Sequence, residues 1–219
     1  MLVDKLWLEK MAQNRKPTAV YWLDNTLYLN ITNQCSNSCY FCLKRYKCGV
    51  GGFNLRLTVE PSVAQIIAEL KEVLHMRIWD GLVFCGFGEP TERLDVLLEV
   101  AKWVKQNYGK PLPIRLDTNG HGYILNPGRN VATELKAAGV DIVSVSLNAG
   151  DKETYNEICR PIFLEGYKVV LDFIQKAKLY LDVEVSAVRL PEVDMAKAKA
   201  VADDLGVLFK VREYIPCFY

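Results

Sequence analysis

The sequence predicts an α/β protein, a single domain folded as a partial (β/α)6 TIM-like barrel. Three observations carry that prediction. Short β-rich runs alternate with segments of helical period, and parallel strands need long crossovers of that kind. The alternation gives six strand–helix units in 219 residues, whereas a closed eight-unit barrel typically takes about 250. Four strand ends carry polar or glycine-rich segments, the place where chemistry gathers in such folds. An open doubly wound sheet would show the same alternation, and the pattern by itself leaves that alternative open. No linker, repeat or low-complexity tract interrupts the units. One domain over 1–219 is therefore expected, with 1–22 as an N-terminal extension and 36–60 as a cysteine loop and lid.

The elements follow in order. Residues 28–31 (Tyr-Leu-Asn-Ile) read as the first strand, followed by a loop rich in Cys, Asn, Ser and Gly that reaches Gly52. Val63, Ile66, Ile67, Leu70, Val73 and Leu74 recur at three and four, the stripe of an amphipathic helix, with Pro61 at its start. Residues 82–85 form the second strand and end in Gly86-Phe87-Gly88-Glu89-Pro90. Leu94, Leu97, Leu98, Ala101 and Val104 mark the next helix. Residues 114–116 form a third strand, ending in Asp117-Thr118-Asn119-Gly120, and a short helix over 131–138 is closed by Gly139. Residues 142–147 form a fourth strand ending at Asn148, after which Asp151 caps a helix through Tyr155 and Ile158. Val169, Val170, Phe173, Ile174 and Ala177 form another stripe. Residues 183–188 make the fifth strand, Asp194 caps a helix ending at Leu205-Gly206, and 207–211 make the sixth strand.

Composition narrows the function. Lys and Arg number 27 against 26 Asp and Glu, a net charge of +1. Such balance gives no support for a nucleic-acid partner. No run approaches the roughly 20 apolar residues of a membrane helix. The first residues carry Asp4, Lys5, Glu9, Lys10, Arg15 and Lys16 and have no apolar h-region, so no secretory signal is read and a cytoplasmic protein is expected. Seven cysteines, an odd number, favour metal or redox chemistry over a disulfide framework.

Cys35, Cys39 and Cys42 stand in the spacing C-x3-C-x2-C directly after the first strand. Thiolates are soft ligands that favour iron–sulfur clusters, zinc and copper(I). Gaps of three and two let one loop wrap three corners of a [4Fe–4S] cubane and leave the fourth iron open. The alternative is a structural zinc or redox-sensing cysteine module without catalysis, with Cys48 as fourth thiolate. Zinc ribbons usually pair two C-x2-C knuckles, and this sequence has one.

The run 27–42 (Leu-Tyr-Leu-Asn-Ile-Thr-Asn-Gln-Cys-Ser-Asn-Ser-Cys-Tyr-Phe-Cys) resembles the signature of the radical S-adenosylmethionine (SAM) superfamily, and in particular its TatD-associated group. Residues 84–95, 144–149, 159–161 and 211–214 are similar to that group as well. The resemblance implies a partial barrel, a [4Fe–4S] cluster on Cys35, Cys39 and Cys42, and SAM as cosubstrate. It implies reductive cleavage of SAM to a 5′-deoxyadenosyl radical that abstracts hydrogen from an unidentified substrate. Gly86, Gly88, Glu89 and Pro90 match the turn whose backbone meets the methionine amino group. Phe87 replaces the usual first glycine of that motif. Phe41 matches the residue that packs on adenine, Ser146 and Asn148 match contacts to ribose and carboxylate, and Val185, Ser186 and Val188 match the strand flanking adenine. Asp117, Thr118 and Asn119 resemble a segment of glycyl-radical activating enzymes that borders the substrate and a monovalent cation. A plain turn explains Asn119-Gly120 equally well. Arg189 points to the same rim, for a carboxylate or phosphate or for a surface salt bridge.

The remaining cysteines are read individually. Cys85 sits in an apolar strand as a buried thiol and Cys217 near the terminus, while Cys48 and Cys159 fall in loops near the mouth. His75 reads as a surface histidine, and turn placement is enough for His121. Residues 44–53 resemble a mobile basic cover whose Lys44, Arg45 and Lys47 would attract an acidic substrate or an electron donor such as flavodoxin or ferredoxin. The substrate is read as a small molecule, nucleotide-derived in one version, or as a protein glycine.

Overall fold

Strand β1 (Val20–Leu23) is the first element of the computed structural model, which describes residues 16–215. Most of the expected N-terminal extension, and Cys217, lie outside the described residues. The chain divides into two compact units. One comprises the chain up to Cys35 together with Leu43–Arg115, the other Ser36–Cys42 together with the chain from Leu116 onward.

In the first unit β1 pairs antiparallel with β2 (Thr26–Leu29), across a tight turn in which Asp24 takes a φ of 51°. The hairpin was not expected from the pattern. Leu27 and Leu29 are fully buried, the inward half of a two-residue period. Short strands β3 (Gly49–Val50) and β4 (Phe53–Asn54) form a second hairpin. Gly51 and Gly52, at φ 57° and 83°, supply the left-handed conformations a two-residue turn demands. The segment 44–53, expected as a mobile cover, contains most of this hairpin; Phe53 meets Trp22 edge-on at 4.7 Å, and Arg56 Nη2 donates to the Lys44 carbonyl at 2.7 Å.

Helix α1 (Val63–Val73) buries Ile66 and Leu70, the predicted stripe. Its cap is Ser62, which forms a reciprocal capping box with Gln65, so Pro61 stands just outside the helix. Strand β5 (Gly81–Phe84) pairs parallel with β2 and leads into α2 (Leu94–Asn107), which packs on α1. Strand β6 (Ile114–Thr118) carries the chain from the first unit into the second and is two residues longer than predicted.

The second unit continues with α3 (Gly122–Leu125), α4 (Val131–Ala137), β7 (Ile142–Ser146), α5 (Lys152–Cys159), α6 (Gly166–Ala177), β8 (Asp182–Arg189), α7 (Met195–Leu205) and β9 (Leu208–Glu213). Its strands lie in the order β6-β7-β8-β9, with β7, β8 and β9 parallel. Caps fall where the sequence placed them: Asp151 accepts from Thr154 N, and Asp194 from Ala196 N and Lys197 N. Val170, Phe173 and Ile174 bury α6 against β7 and β8. The six expected strands are β2 and β5–β9, and the fold is α/β with a mostly parallel sheet. Among the described residues no helix is long and apolar enough to cross a membrane.

Candidate functional site

In the first unit the turn after β5 is shaped by what its glycines exclude. Asn30 is fully buried; its Nδ2 donates to the Leu55 carbonyl at 2.8 Å, and its Oδ1 accepts from Phe87 N at 3.0 Å. A Cβ on Gly86 would stand 2.1 Å from that Oδ1. A Cβ on Gly88 would stand 2.5 Å from the carbonyl oxygens of Thr32 and Gln34. Glu89 N donates to Gln34 O at 2.7 Å, binding the turn to the chain after β2. The buried Glu89 carboxylate accepts from Thr91 N at 3.0 Å and Thr91 Oγ1 at 2.7 Å, so it closes the following turn. Phe87, the departure from the usual motif, buries its ring with Tyr21 and Leu55. The chain after β2 is fixed further by Arg93, whose Nη1 donates to Ile31 O and Pro61 O, each at 2.8 Å. Cys35 follows at the end of this unit, half-buried.

In the second unit the loop Ser36–Cys42 is laced to the end of α5. Ser38 N donates to Cys159 O at 3.0 Å and Tyr40 N to Ile158 O at 3.2 Å. In return Ile162 N donates to Ser36 O at 3.0 Å, and Asn37 bridges to Pro161. Arg160 ends the helix in the left-handed region, φ 48°, and sets its guanidinium 5.9 Å from the Tyr40 ring centroid. Phe41 is half-buried and meets Tyr40 edge-on at 5.7 Å. The Cys39 thiol hydrogen-bonds Cys159, and this contact together with burial pushes its pKa far above the ordinary thiol value. Cys159, expected in a loop, is instead the fully buried last residue of α5.

A second polar cluster gathers behind the same loop. His121, expected to need only a turn, is fully buried. Its Nδ1 lies 2.9 Å from Ser36 Oγ and its Nε2 3.3 Å from the Tyr155 hydroxyl. Asn119 Nδ2 donates to Ser36 Oγ at 2.9 Å, and Asn119 Oδ1 accepts from His121 N at 2.9 Å. Burial lowers the His121 pKa to about 4, against a backbone hydrogen bond at Gly166 that works the other way. The ring is therefore neutral at pH 7. In the neutral ring one nitrogen donates and the other accepts, so Ser36 and Tyr155 play complementary roles toward it. Tyr155 also receives Asn37 Nδ2 at 3.1 Å. Sequence reasoning missed this hub, since its members come from three separate stretches of chain.

The other strand ends divide. Thr118 and Asn119 turn inward; Thr118 Oγ1 accepts from Gly120 N at 3.1 Å. Asp117 is approached by Arg212 Nη2 at 3.6 Å, and Arg212 also reaches Ser144 Oγ at 3.5 Å. Asp117 thus has a cationic side chain of this chain beside it. Ser146 lies opposite Ser186 in the β7–β8 register. Asn148 takes φ 59°, donates from its backbone to Ser186 O at 3.0 Å, and donates from Nδ2 to Cys159 Sγ at 3.4 Å. Val188 is half-buried on β8. Arg189 forms an exposed ion pair with Glu213 at 3.0 Å. Cys85 lies just past β5, half-buried rather than inside the strand, Cys48 is half-buried in the β3–β4 segment, and His75 is exposed as expected.

The donor chemistry suits an iron–sulfur cluster: Cys35, Cys39 and Cys42 place three thiol side chains within eight residues of chain. Among the described residues no three His, Cys, Asp or Glu side chains gather closely enough to hold a metal ion. Cys39 turns to Cys159 instead. The ligand assignment therefore stands on thiol chemistry and loop spacing, with no coordination geometry attached.

The family model for the radical SAM superfamily matches residues 29–205, so one family domain runs through both units. A probable GTP 3′,8-cyclase of Methanocaldococcus jannaschii is 28% identical over 195 residues, covering 87% of this chain and 59% of that protein. One of Saccharolobus islandicus is 30% identical over 164 residues, covering 75% and 46%. The chain thus spans about half the length of the curated relatives it matches. Among solved structures, methylornithine synthase (PylB) superposes with a TM-score of 0.61 at 16% identity, covering 87% of this chain and 53% of that one. TYW1 with a lysine-pyruvate adduct bound gives 0.62 at 14%, covering 97% and 74%. At such identities the likeness is one of fold.

Proposed function

The chain belongs to the radical SAM superfamily, and from that premise we propose that it holds a [4Fe–4S] cluster on Cys35, Cys39 and Cys42 and abstracts hydrogen from a small-molecule substrate. It is an enzyme, and the family's cofactors, the cluster and SAM, are its own. That membership removes the non-catalytic zinc module. Bound together, cluster and SAM supply reductive cleavage of the sulfonium to methionine and a 5′-deoxyadenosyl radical, with the electron delivered by a donor of the flavodoxin or ferredoxin type.

The chain's own part is binding, orientation and exclusion of water. Gly88 lets the turn pack against the Thr32 and Gln34 carbonyls, and a backbone carbonyl of this turn would accept from the methionine ammonium. Ser146 and Asn148 at the end of β7 offer hydroxyl and amide groups to ribose and carboxylate. Phe41 and Val188 give apolar faces for adenine.

The observation that carries this reading is the loop Ser36–Cys42, which brings the thiols of Cys39 and Cys42 and is laced by backbone hydrogen bonds to the end of α5. A loop so held has its backbone course fixed in advance. For the substrate, the GTP 3′,8-cyclase relatives favour a purine nucleoside triphosphate as first candidate. Protein isolated without oxygen should be brown, with about four irons per chain, and should form 5′-deoxyadenosine with dithionite and SAM. Cys42→Ala should abolish both. Deuterated GTP should pass label into 5′-deoxyadenosine. A colourless wild-type protein holding one zinc would refute the cluster, and absence of label would remove GTP alone.

A further inference from the structure

A cleft of about 670 Å³ lies at the C-terminal ends of α1 and α2, wholly within the first unit. That volume falls among small-molecule sites, which span about 300–1,000 Å³. Leu74, Ile78 and Trp103 give the cleft an apolar wall, and Lys71, Arg77 and Lys110 bring three cations to it. Among the described residues no Asp or Glu lines it, and no carboxylate pairs with those three cations. Helix α1 feeds the start of β5, whereas the turn 86–90 follows the end of that strand, so the cleft is separate from the candidate site. We propose that it is a second binding site, for a nucleotide, with the base against Leu74, Ile78 and Trp103 and the phosphates among Lys71, Arg77 and Lys110.

The charge argues for phosphate. A cation in the last turn of a helix complements the partial negative charge there, and Lys71 does so for α1. Arg77 and Lys110 stand past the ends of α1 and α2 and exceed that need. Three positive groups around one cleft repel one another, and a lone carboxylate would offset only one of them. A nucleoside di- or triphosphate carries several negative charges on one small body, together with a flat ring for the apolar wall. The walls are set before any ligand arrives, which lowers the cost of binding. The Arg77 guanidinium packs 4.8 Å from the ring centroid of buried Trp79. Trp79 Nε1 donates to Val73 O at 3.2 Å, and Trp79 N donates to the Tyr108 hydroxyl at 3.3 Å. His75, also in the lining, donates from Nδ1 to the Lys71 carbonyl at 2.9 Å, since a carbonyl only accepts, and this leaves Nε2 for the cleft. Lys71 Nζ lies 5.9 Å from the Trp103 ring centroid, which sets a cation beside the apolar wall.

The test is calorimetric titration of the reconstituted holoenzyme with ADP, with SAM saturating so that its own site is closed to adenine. Adenosine, pyrophosphate and a short poly-glutamate peptide are titrated in parallel. One ADP should bind per chain, more tightly than adenosine or pyrophosphate. Lys71→Glu/Lys110→Glu, which alters two exposed side chains, should weaken ADP roughly tenfold or more, as expected for losing charge-assisted hydrogen bonds. It should leave 5′-deoxyadenosine formation at the wild-type rate. Trp103→Leu should weaken ADP roughly fivefold, in the range of a lost aromatic contact to a base. If Trp103→Leu does not fold, the comparison of ADP with pyrophosphate on wild type decides the base contact. No binding of ADP at millimolar concentration overturns the proposal, and so does binding that survives the double charge reversal unchanged. Pyrophosphate held as tightly as ADP would mean an anion patch with no place for a base. Poly-glutamate held more tightly than ADP, and lost in the same double variant, would replace the nucleotide by an acidic peptide.

Discussion

The turn after β5 in the first unit and the hub around His121 in the second are both polar and buried, but they are built by opposite means. The turn is made of backbone. Gly86 and Gly88 stand where no Cβ fits, and the groups around them are carbonyls and one amide side chain, Asn30. The hub is made of side chains. Ser36, Asn119, His121 and Tyr155 close a ring of hydrogen bonds among segments far apart in the chain. A backbone device requires particular residues in one short run. A side-chain device requires only that polar groups arrive together.

The largest effect should come from breaking the backbone device. In Gly88→Ala the new methyl would meet two backbone carbonyl oxygens at 2.5 Å, and neither belongs to a flexible side chain. Overpacking against immovable atoms should cost about 4 kcal/mol. The variant should lose SAM cleavage altogether. Denaturant unfolding and a 5′-deoxyadenosine assay check both parts, and a variant with wild-type stability would show that the turn yields more than its geometry implies.

That contrast explains what was legible. The Gly-Phe-Gly-Glu-Pro run, the cysteine triad and the caps Asp151 and Asp194 are local, so their physics is written in consecutive residues. The helical stripes were equally readable because burial repeats along one face. The β1–β2 hairpin escaped notice because its turn uses Asp24 at φ 51° with no glycine to announce it. His121 looked like a turn residue because Asn119-Gly120 explains a turn without it. Nothing in the sequence says that Ser36 and Tyr155 come to meet its two ring nitrogens. Cys159 looked like a loop residue because Arg160, which ends α5 in a left-handed conformation, is not glycine. Arg212 had a local signal in the Val-Arg-Glu-Tyr run, but its partner Asp117 lies on another strand.

The side-chain device should be breakable by protons alone. His121 has a folded pKa of about 4 against an ordinary value of 6.5. The unfolded chain therefore binds the proton more readily between those values. The stabilisation is complete above pH 6.5 and drains away as the pH falls toward 4, by up to about 3 kcal/mol. His121→Gln removes the titration, so the slope of stability against pH in that window should flatten relative to wild type. An identical slope in both proteins would show that the ring is not the group being charged.

A smaller effect tests whether local devices of the second unit act independently of the hub. Asp151 caps α5 through Thr154 N and pairs with Lys197 Nζ at 2.8 Å. The hydrogen bond from Lys197, then that from Thr154, lowers its carboxyl to about 2. Asp151→Ala should cost about 1 kcal/mol, the usual worth of a cap. The loss should be the same in a His121→Gln background, because no hydrogen bond is shared between the two. A loss that changes with the background would mean that α5 couples cap and hub through its length.

The smallest effect is assigned to Arg189. The resemblance allowed it two roles, a rim contact for an anionic substrate or a surface salt bridge, and β9 supplies the second. Glu213 lies directly opposite in the β8–β9 register, and the two side chains pair at 3.0 Å with more than half of each exposed. Exposed pairs of this kind are worth less than about 1 kcal/mol, because water screens the charges and both side chains lose freedom. Arg189→Ala should therefore barely move the unfolding midpoint. It should also leave KM and kcat for hydrogen abstraction within about twofold, since the arginine has a carboxylate of its own to satisfy. A KM raised tenfold with kcat unchanged corresponds to about 1.4 kcal/mol of lost binding, more than the surface pair can account for. That outcome would move Arg189 from the strand edge into the substrate site.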